Sequence, residues 1–305
     1  MSKKQQKTLS KNETIAIAAL VVCVIGSAIG FGMVMSSAQE KEIHDTPLAD
    51  QKAKHPTHLK IRGPAPQQGQ PLKPAPADCE YVEYESPAGK LGAWMMRPPN
   101  AYLQKERKYP AVLYGHGGFA VGTSDATMVL PLVSSGYIVM IPAWRGENGN
   151  PGNFEMCYGE VEDAAAALEY LKNQPDVNAD YIYAGGHSAG ATIVSLLAET
   201  APGLKKVVAC GAYPNMREGA YEGAPFNPTD IYETELRAPS EHVKFLTCPL
   251  LLLYGDEDEH YIAQAKLMKK EAQKLGKNVD FSVMQGKTHQ TALGPAITRM
   301  LDEFK

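Results

Sequence analysis

The sequence predicts an α/β fold: one doubly wound, eight-stranded and mostly parallel sheet with helices on both faces. Short apolar runs alternate with helical segments along most of the chain, which is the pattern of repeated strand–helix–strand units. The composition, 44% hydrophobic and 21% charged residues, is ordinary for a globular protein. Residues 79–305 are numerous enough to bury a sizeable core in a single domain.

The predicted domain opens with a hairpin and continues with alternating strands and helices. Residues 80–84 and 91–96 alternate apolar and polar side chains around a Pro-Ala-Gly turn, which predicts two antiparallel strands. Six further apolar runs predict buried strands: residues 111–114, 137–141, 182–185, 206–210, 250–254 and 280–284. Helices are predicted between them, at residues 125–134, 161–172, 191–198 and 261–275. Residues 213–247 contain four prolines and predict a short insertion before strand 7, over the carboxyl edge of the sheet.

The first 38 residues differ from the rest of the chain. Four lysines precede residues 15–35, a stretch of 21 residues without charge, and this length suits a helix that crosses a bilayer. We therefore expect residues 1–14 in the cytoplasm, residues 15–38 as a transmembrane signal anchor and the domain outside the cytoplasm. A cleaved signal peptide and a secreted domain are the alternative, because residues 36–38 (Ser-Ser-Ala) resemble a cleavage site.

Between the expected anchor and the domain lies a polar and then proline-rich segment, residues 39–78. Five prolines fall between positions 64 and 76, a composition typical of extended and semi-rigid linkers. We expect a stalk. The net charge of −4 gives no basic footprint for nucleic acid. Neither a metal-ligand spacing nor a dinucleotide fingerprint is present in the sequence, so neither a metal nor a cofactor is expected.

The most informative motif is a Gly-x-Ser-x-Gly turn between a strand and a helix. It spans residues 186–190, with Ser188 at its centre. Such a turn lifts the serine hydroxyl clear of the backbone, and a side chain at Gly186 or Gly190 would collide across it. Ser188 is therefore the predicted nucleophile.

A serine hydroxyl needs a base within reach and a carboxylate that orients that base. His289 is the predicted base, because it follows the last strand and lies after the acidic segment in the chain. Four adjacent acidic residues, 256–259, follow the preceding apolar strand. Asp258 is the preferred acid and Asp256 the alternative, since an acidic helix start explains some of these residues without catalysis.

Acyl transfer also needs N–H donors for the developing oxyanion. The backbone N–H of Ala189, directly after the nucleophile, is one predicted donor. The loop Gly115-His116-Gly117-Gly118-Phe119 follows the third strand and supplies the other, from Gly118 or, as a fallback, Phe119.

Together these segments resemble the α/β-hydrolases, in particular the catalytic domain of prolyl oligopeptidase-type serine peptidases and the dienelactone-hydrolase-like esterases. The resemblance covers about residues 80–305 and rests on five segments: residues 116–118, 142–149, 186–190, 249–258 and His289. The family's Gly-x-x-Asp pattern implies Asp258 as the acid. A proline, which has no N–H, often follows the family's His-Gly-Gly, and this implies Gly118 as the donor.

The chain also departs from the peptidases of that family. Those peptidases carry a large N-terminal propeller, which the segment ahead of this domain is too short to form, and an aromatic residue where Ala189 stands. We therefore expect a serine hydrolase that cleaves an ester or acyl-peptide bond of a small molecule or short peptide through an acyl-enzyme intermediate. The alternatives are a prolyl oligopeptidase-type peptidase without a propeller and a non-catalytic, membrane-anchored binding domain.

Overall fold

A computed structural model of the chain describes residue 39 and residues 41–67, 69–102, 106–216 and 223–305. The chain divides into two compact units, residues 1–45 and residues 46–305. In the first unit, the described residues 41–45 are helical. The second unit contains the sheet and the predicted functional residues.

Eight strands form one sheet. They are β1 (Glu80–Ser86), β2 (Gly89–Met96), β3 (Tyr109–Gly115), β4 (Ile138–Pro142), β5 (Val177–His187), β6 (Leu204–Cys210), β7 (Leu250–Gly255) and β8 (Val279–Met284). Their order across the sheet is β1-β2-β4-β3-β5-β6-β7-β8. β2 is antiparallel to both β1 and β4, and all the other pairs are parallel. The predicted eight-stranded, mostly parallel sheet is confirmed.

Helices cover both faces of this sheet. They are α1 (Leu48–Lys54), α2 (Thr123–Ser134), α3 (Glu160–Lys172), α4 (Ala189–Thr200), α5 (Ile231–Glu235), α6 (Pro239–His242), α7 (Glu259–Lys274) and α8 (Leu293–Glu303), with 3₁₀ turns at Pro99–Tyr102 and Val243–Phe245. Successive strand residues point to opposite faces, so Ile182 of β5 packs in the cluster with α3, α4 and α7, and Tyr183 in the cluster with α2 and α8.

The strand order places β5 in the middle of the sheet, between β3 and β6. In the β3–β5 pair, Gly115 lies opposite Gly186, so the loop after β3 and the turn after β5 emerge side by side. In the β5–β6 pair, Cys210 lies opposite His187, and the chain leaves β6 at the same edge. Three loops therefore meet at the position of Ser188, as expected for the carboxyl edge of a parallel sheet.

The segment of residues 46–78 does not form the expected stalk. It lies against the sheet domain: Trp94 Nε1 donates to Leu72 O at 2.9 Å, and Ala65 N donates to Gly146 O at 2.9 Å. Ala65 and Leu72 are buried. The spacing of the prolines predicts an extended backbone. This backbone packs on the domain because apolar residues between the prolines are buried there. We call residues 46–78 the strap.

The predicted single-pass membrane localisation requires correction. Within the described ranges, no helix combines the length and apolar character needed to cross a bilayer. The predicted anchor, residues 15–38, and the predicted cytoplasmic residues 1–14 lie outside the described residues. The described residues therefore give no support to membrane attachment through an N-terminal helix.

A buried arginine joins the strap to the insertion. Arg237, in the loop between α5 and α6, is fully buried, and its guanidinium donates to Glu233 Oε2 at 2.7 Å and to Thr57 Oγ1 of the strap at 2.8 Å. It also donates to the carbonyl oxygens of Glu155 and Met156, at 3.1 and 3.0 Å. Met156 has a positive φ of 55°, so this arginine supports a backbone conformation that non-glycine residues rarely adopt.

Removing this guanidinium is expected to destabilise the domain strongly. Arg237→Ala leaves the Glu233 carboxylate buried without its cation and should lower the free energy of unfolding by about 3–5 kcal/mol. Urea denaturation followed by circular dichroism measures the change. Lys274→Ala removes an exposed ion pair with Glu271 and is the matched control, expected to cost less than about 1 kcal/mol. Equal losses in the free energy of unfolding for the two variants would contradict the conclusion that the buried Arg237 guanidinium stabilises the domain.

Candidate active site

Ser188 sits in a strained turn between β5 and α4. Its φ of 53° and ψ of −119° are rare for a residue with a β-carbon. Two backbone hydrogen bonds hold this turn: Ser188 N donates to Cys210 O at 2.8 Å, and Gly190 N donates to His116 O at 3.1 Å. The strained serine is thus tied to the loops on both sides of it.

The glycines of the turn are required by close backbone contacts. A β-carbon on Gly190 would lie 2.2 Å from the carbonyl carbon of Gly115, and one on Gly186 would lie 2.8 Å from the carbonyl carbon of Gly190. The collision that the motif predicts therefore occurs within the turn and also between the turn and the β3 loop.

His289 and Asp258 lie together at the neighbouring strand ends. His289 follows β8, and its Nδ1 lies 3.1 Å from Oδ1 of Asp258, a buried residue that is the third after β7. A carboxylate only accepts, so Nδ1 carries the proton and Nε2 is left as a proton acceptor. This is the orientation that a general base requires.

Asp256, the alternative acid, has a different environment. Its carboxylate accepts the backbone N–H groups of Gly286 and Lys287, at 2.9 and 3.1 Å. The hydrogen bond from Gly286 is the main cause of a lowered pKa at this exposed carboxyl. Asp256 therefore braces the loop that carries His289, while Asp258 contacts the imidazole.

A second histidine supports His289 from the nucleophile turn. His187 Nε2 is 3.0 Å from the carbonyl oxygen of His289, and the two rings are 5.0 Å apart. Burial lowers the pKa of His187, which favours the neutral ring. The sequence motif leaves this position unspecified, so the contact could not be predicted from the motif.

The two candidate oxyanion donors on the β3 loop differ in their contacts. Gly118 has a positive φ of 70°, whereas Phe119 N donates to the side-chain oxygen of Gln67, from the strap, at 3.1 Å. The fallback donor is therefore engaged by the strap. Ala189, the other predicted donor, is the first residue of α4.

The loop that carries Gly118 is anchored by a buried ion pair. His116 is fully buried, and its Nε2 lies 3.0 Å from Oε2 of Glu147. Burial lowers the pKa of His116, but the Glu147 carboxylate more than offsets this effect, and the net pKa is raised. Because His116 O also accepts from Gly190 N, this pair links the β3 loop to the nucleophile turn.

Ser188 Oγ has an unpredicted partner. Among the described residues it is hydrogen bonded to the hydroxyl of Tyr213, at 3.1 Å, and not to His289. Tyr213 is the third residue after β6, the strand beside β5. This position after a neighbouring strand is the signal that could have indicated the contact with Ser188, because adjacent parallel strands end at the same edge of the sheet. The structure thus joins Asp258 to His289 and Ser188 to Tyr213.

A cavity of about 1000 Å³ opens beside the β3 loop. Its wall includes Gln67, Gln70 and Pro71 of the strap, and it reaches Gly118 and His187 of the candidate site. No group of three or more His, Cys, Asp or Glu side chains suited to a metal ion occurs in the part of the chain that the structure describes.

Comparisons with known proteins identify the family to which the chain is similar. A family model described as the prolyl oligopeptidase family matches residues 124–303, more than half of the chain. A curated relative, the uncharacterized peptidase YtmA of Bacillus subtilis, is 26% identical over 189 residues, which are 57% of this chain and 73% of YtmA.

Two solved structures share the fold. The acylaminoacyl peptidase of Pyrococcus horikoshii superposes with a TM-score of 0.63 at 17% identity, over 74% of this chain and 41% of that protein. A putative dienelactone hydrolase from Klebsiella pneumoniae superposes with a TM-score of 0.56 at 18% identity, over 74% of this chain and 97% of that protein. The chain therefore spans less than half of the first protein and nearly all of the second.

The close contact at the nucleophile turn gives a stability test. Gly190→Ala forces a β-carbon against the backbone of Gly115 and should lower the free energy of unfolding by at least about 2 kcal/mol. Gly294→Ala, in α8, meets no atom within 4 Å and is the control. It should be neutral or stabilise the domain by less than about 1 kcal/mol. Thermal unfolding of both variants measures the difference, and a neutral Gly190→Ala would refute the contact.

Proposed function

Because the chain belongs to the prolyl oligopeptidase family and is a serine hydrolase, we propose that it cleaves an ester or acyl-peptide bond through an acyl-enzyme intermediate on Ser188. The observation that carries this proposal is the hydrogen bond between His289 Nδ1 and Asp258, which leaves Nε2 free to accept a proton. A strained serine at the neighbouring turn supports it.

In the proposed mechanism, Ser188 attacks the substrate carbonyl carbon and transfers its proton to His289 Nε2. The Ser188–His289 hydrogen bond forms when substrate binds, since catalytic hydrogen bonds in unliganded sites are often loose. Asp258 holds the imidazole and stabilises its positive charge. The N–H groups of Gly118 and Ala189 stabilise the oxyanion.

Collapse of the tetrahedral intermediate breaks the bond to the leaving group, which takes the proton from His289. A water molecule then attacks the acyl-enzyme with His289 as the base, and Ser188 Oγ recovers its proton as the acid product leaves. The acyl group thus passes from the leaving group to water with no net change in the enzyme.

Small substrates fit this site best. The strap forms a wall of the cavity beside Gly118, which limits the length of any group that binds there. The dienelactone hydrolase, 97% of which is covered by this chain, favours an ester substrate, and the acylaminoacyl peptidase favours an acyl-peptide substrate. A panel of short-chain esters and aminoacyl amides separates them, and selective turnover of the amides favours a peptidase without a propeller.

A non-catalytic binding domain is the weaker candidate. Such a domain needs neither the Asp258–His289 pair nor a serine held at positive φ, and backbone strain of this kind costs on the order of 1–3 kcal/mol. A binding role does not explain why the protein retains this strained backbone conformation beside a histidine and a carboxylate.

A fluorophosphonate probe tests the nucleophile. We expect the wild-type protein to be labelled and Ser188→Ala not to be labelled, because the probe reacts with an activated serine hydroxyl. Ser195→Ala is the matched control: it removes a buried serine of α4, the helix that follows Ser188, and the hydroxyl of Ser195 donates to Ala191 O. Intact mass spectrometry measures the adduct. Folded wild-type protein that takes up no label would refute the proposal that Ser188 is an activated, catalytic nucleophile.

Replacing each candidate acid by asparagine, its amide, distinguishes Asp258 from Asp256. Asp258→Asn keeps the shape but cannot hold His289 in the required tautomer, and the labelling rate should fall about 10³–10⁴-fold. Asp256→Asn keeps an oxygen that can accept from the histidine loop, and the rate should fall less than about tenfold. Time courses of labelling, quenched at intervals, give both rates. A larger loss of rate in Asp256→Asn than in Asp258→Asn would make Asp256 the acid.

A further inference from the structure

Two tyrosines that the proposed mechanism does not use lie beside the nucleophile. The Tyr213 hydroxyl is 3.1 Å from Ser188 Oγ, and Tyr261 lies beside Tyr213. The two tyrosine rings pack edge to face at 4.8 Å, and the Tyr213 ring is parallel to the His289 ring at 6.4 Å. Tyr213 N also donates to Thr192 Oγ1 of α4 at 2.9 Å, so the ring is fixed on several sides.

The strand order places Tyr213 and the oxyanion loop on opposite sides of the nucleophile. Gly118 follows β3 and Tyr213 follows β6, and these strands flank β5 on its two sides. The Tyr213 hydroxyl therefore approaches the attacking oxygen itself, from the side away from Gly118.

The number of hydroxyl protons fixes the direction of the hydrogen bonds. Ser188 has one proton, and the proposed function requires it to point at His289 Nε2. Ser188 can then keep its bond to Tyr213 only as the acceptor. Tyr213 thereby uses its single proton as the donor in this bond. The Ser188 and Tyr213 hydroxyls then each donate one hydrogen bond.

We propose that Tyr213 is a catalytic residue that donates a hydrogen bond to Ser188 Oγ. This inference rests on the proposed function. As the Ser188 proton moves to His289, the Oγ atom gains negative charge and forms its bond to the acyl carbon. Tyr213 keeps its proton and stabilises that charge. In deacylation Oγ leaves the acyl carbon, takes the proton back from His289 and is stabilised by the same donor.

The environment of the two phenols suits donors rather than bases. Burial raises the pKa of Tyr213 above its ordinary value and raises the pKa of Tyr261 to about 12. Both hydroxyls therefore remain protonated through neutral pH.

Tyr213→Phe removes the hydroxyl and keeps the ring that packs on Tyr261 and His289. The second-order rate constant for fluorophosphonate labelling should fall roughly 10- to 100-fold. Tyr84→Phe is the matched control, because it removes another buried tyrosine hydroxyl, one that reaches Ala143 O from β1. It should be labelled at the wild-type rate. Thermal unfolding of both variants measures whether they are folded.

A fluorinated tyrosine incorporated at position 213 tests the direction of the bond and decides the matter if Tyr213→Phe does not fold. Its phenol is the stronger donor and the weaker acceptor, so labelling, measured where the phenol remains protonated, should be at least as fast as in the wild type. Slower labelling would mean that Ser188 donates to Tyr213 and would overturn the proposal. Wild-type labelling of Tyr213→Phe would overturn it as well and leave the proposed function intact. Absence of labelling in the wild type would overturn both.

Discussion

The arrangement of the site depends on the close approach of two backbones, at Gly115 and Gly190. There is no room for a side chain between them, since a β-carbon on Gly190 would be 2.2 Å from a backbone carbon of Gly115. This contact brings the loop after β3 against the first turn of α4. Ser188, at positive φ, and the Gly118 loop are thereby held at one place on the edge of the sheet. Electrostatic stabilisation of a transition state needs donors fixed in advance, and a backbone contact provides that rigidity.

Much of the fold could be predicted, because its information is local. Hydrophobic runs identified the strands, and the alternation with helices identified the parallel sheet, which the structure confirms. The contact between His289 and Asp258 also follows from chain order, since both residues come at the ends of adjacent strands. Where β5 begins was less predictable: the structure starts it at Val177, in a stretch that mixes polar and apolar residues.

What could not be predicted depends on contacts between distant segments. The proline-rich strap has the composition of a linker, and only its partners, such as Trp94 for Leu72, show that it packs on the domain. Arg237 looks like an ordinary surface arginine in the sequence, yet it is fully buried by groups from three segments. Tyr213 belongs to an insertion without a regular pattern. Local periodicity carries no information about any of these contacts.

The strap has a consequence for the order of events during synthesis. Thr57 and His58 hydrogen bond to Glu233, and Thr57 also accepts from Arg237, residues that leave the ribosome about 175 positions later. The Thr57 end of the strap is therefore translated first but cannot dock until the insertion has been made. A nascent chain that has completed α4 already contains Ser188, but the strap wall of the cavity beside Gly118 is still unanchored at its Thr57 end. The wall is thus completed only after Arg237 has been made, when roughly three quarters of the chain has been translated.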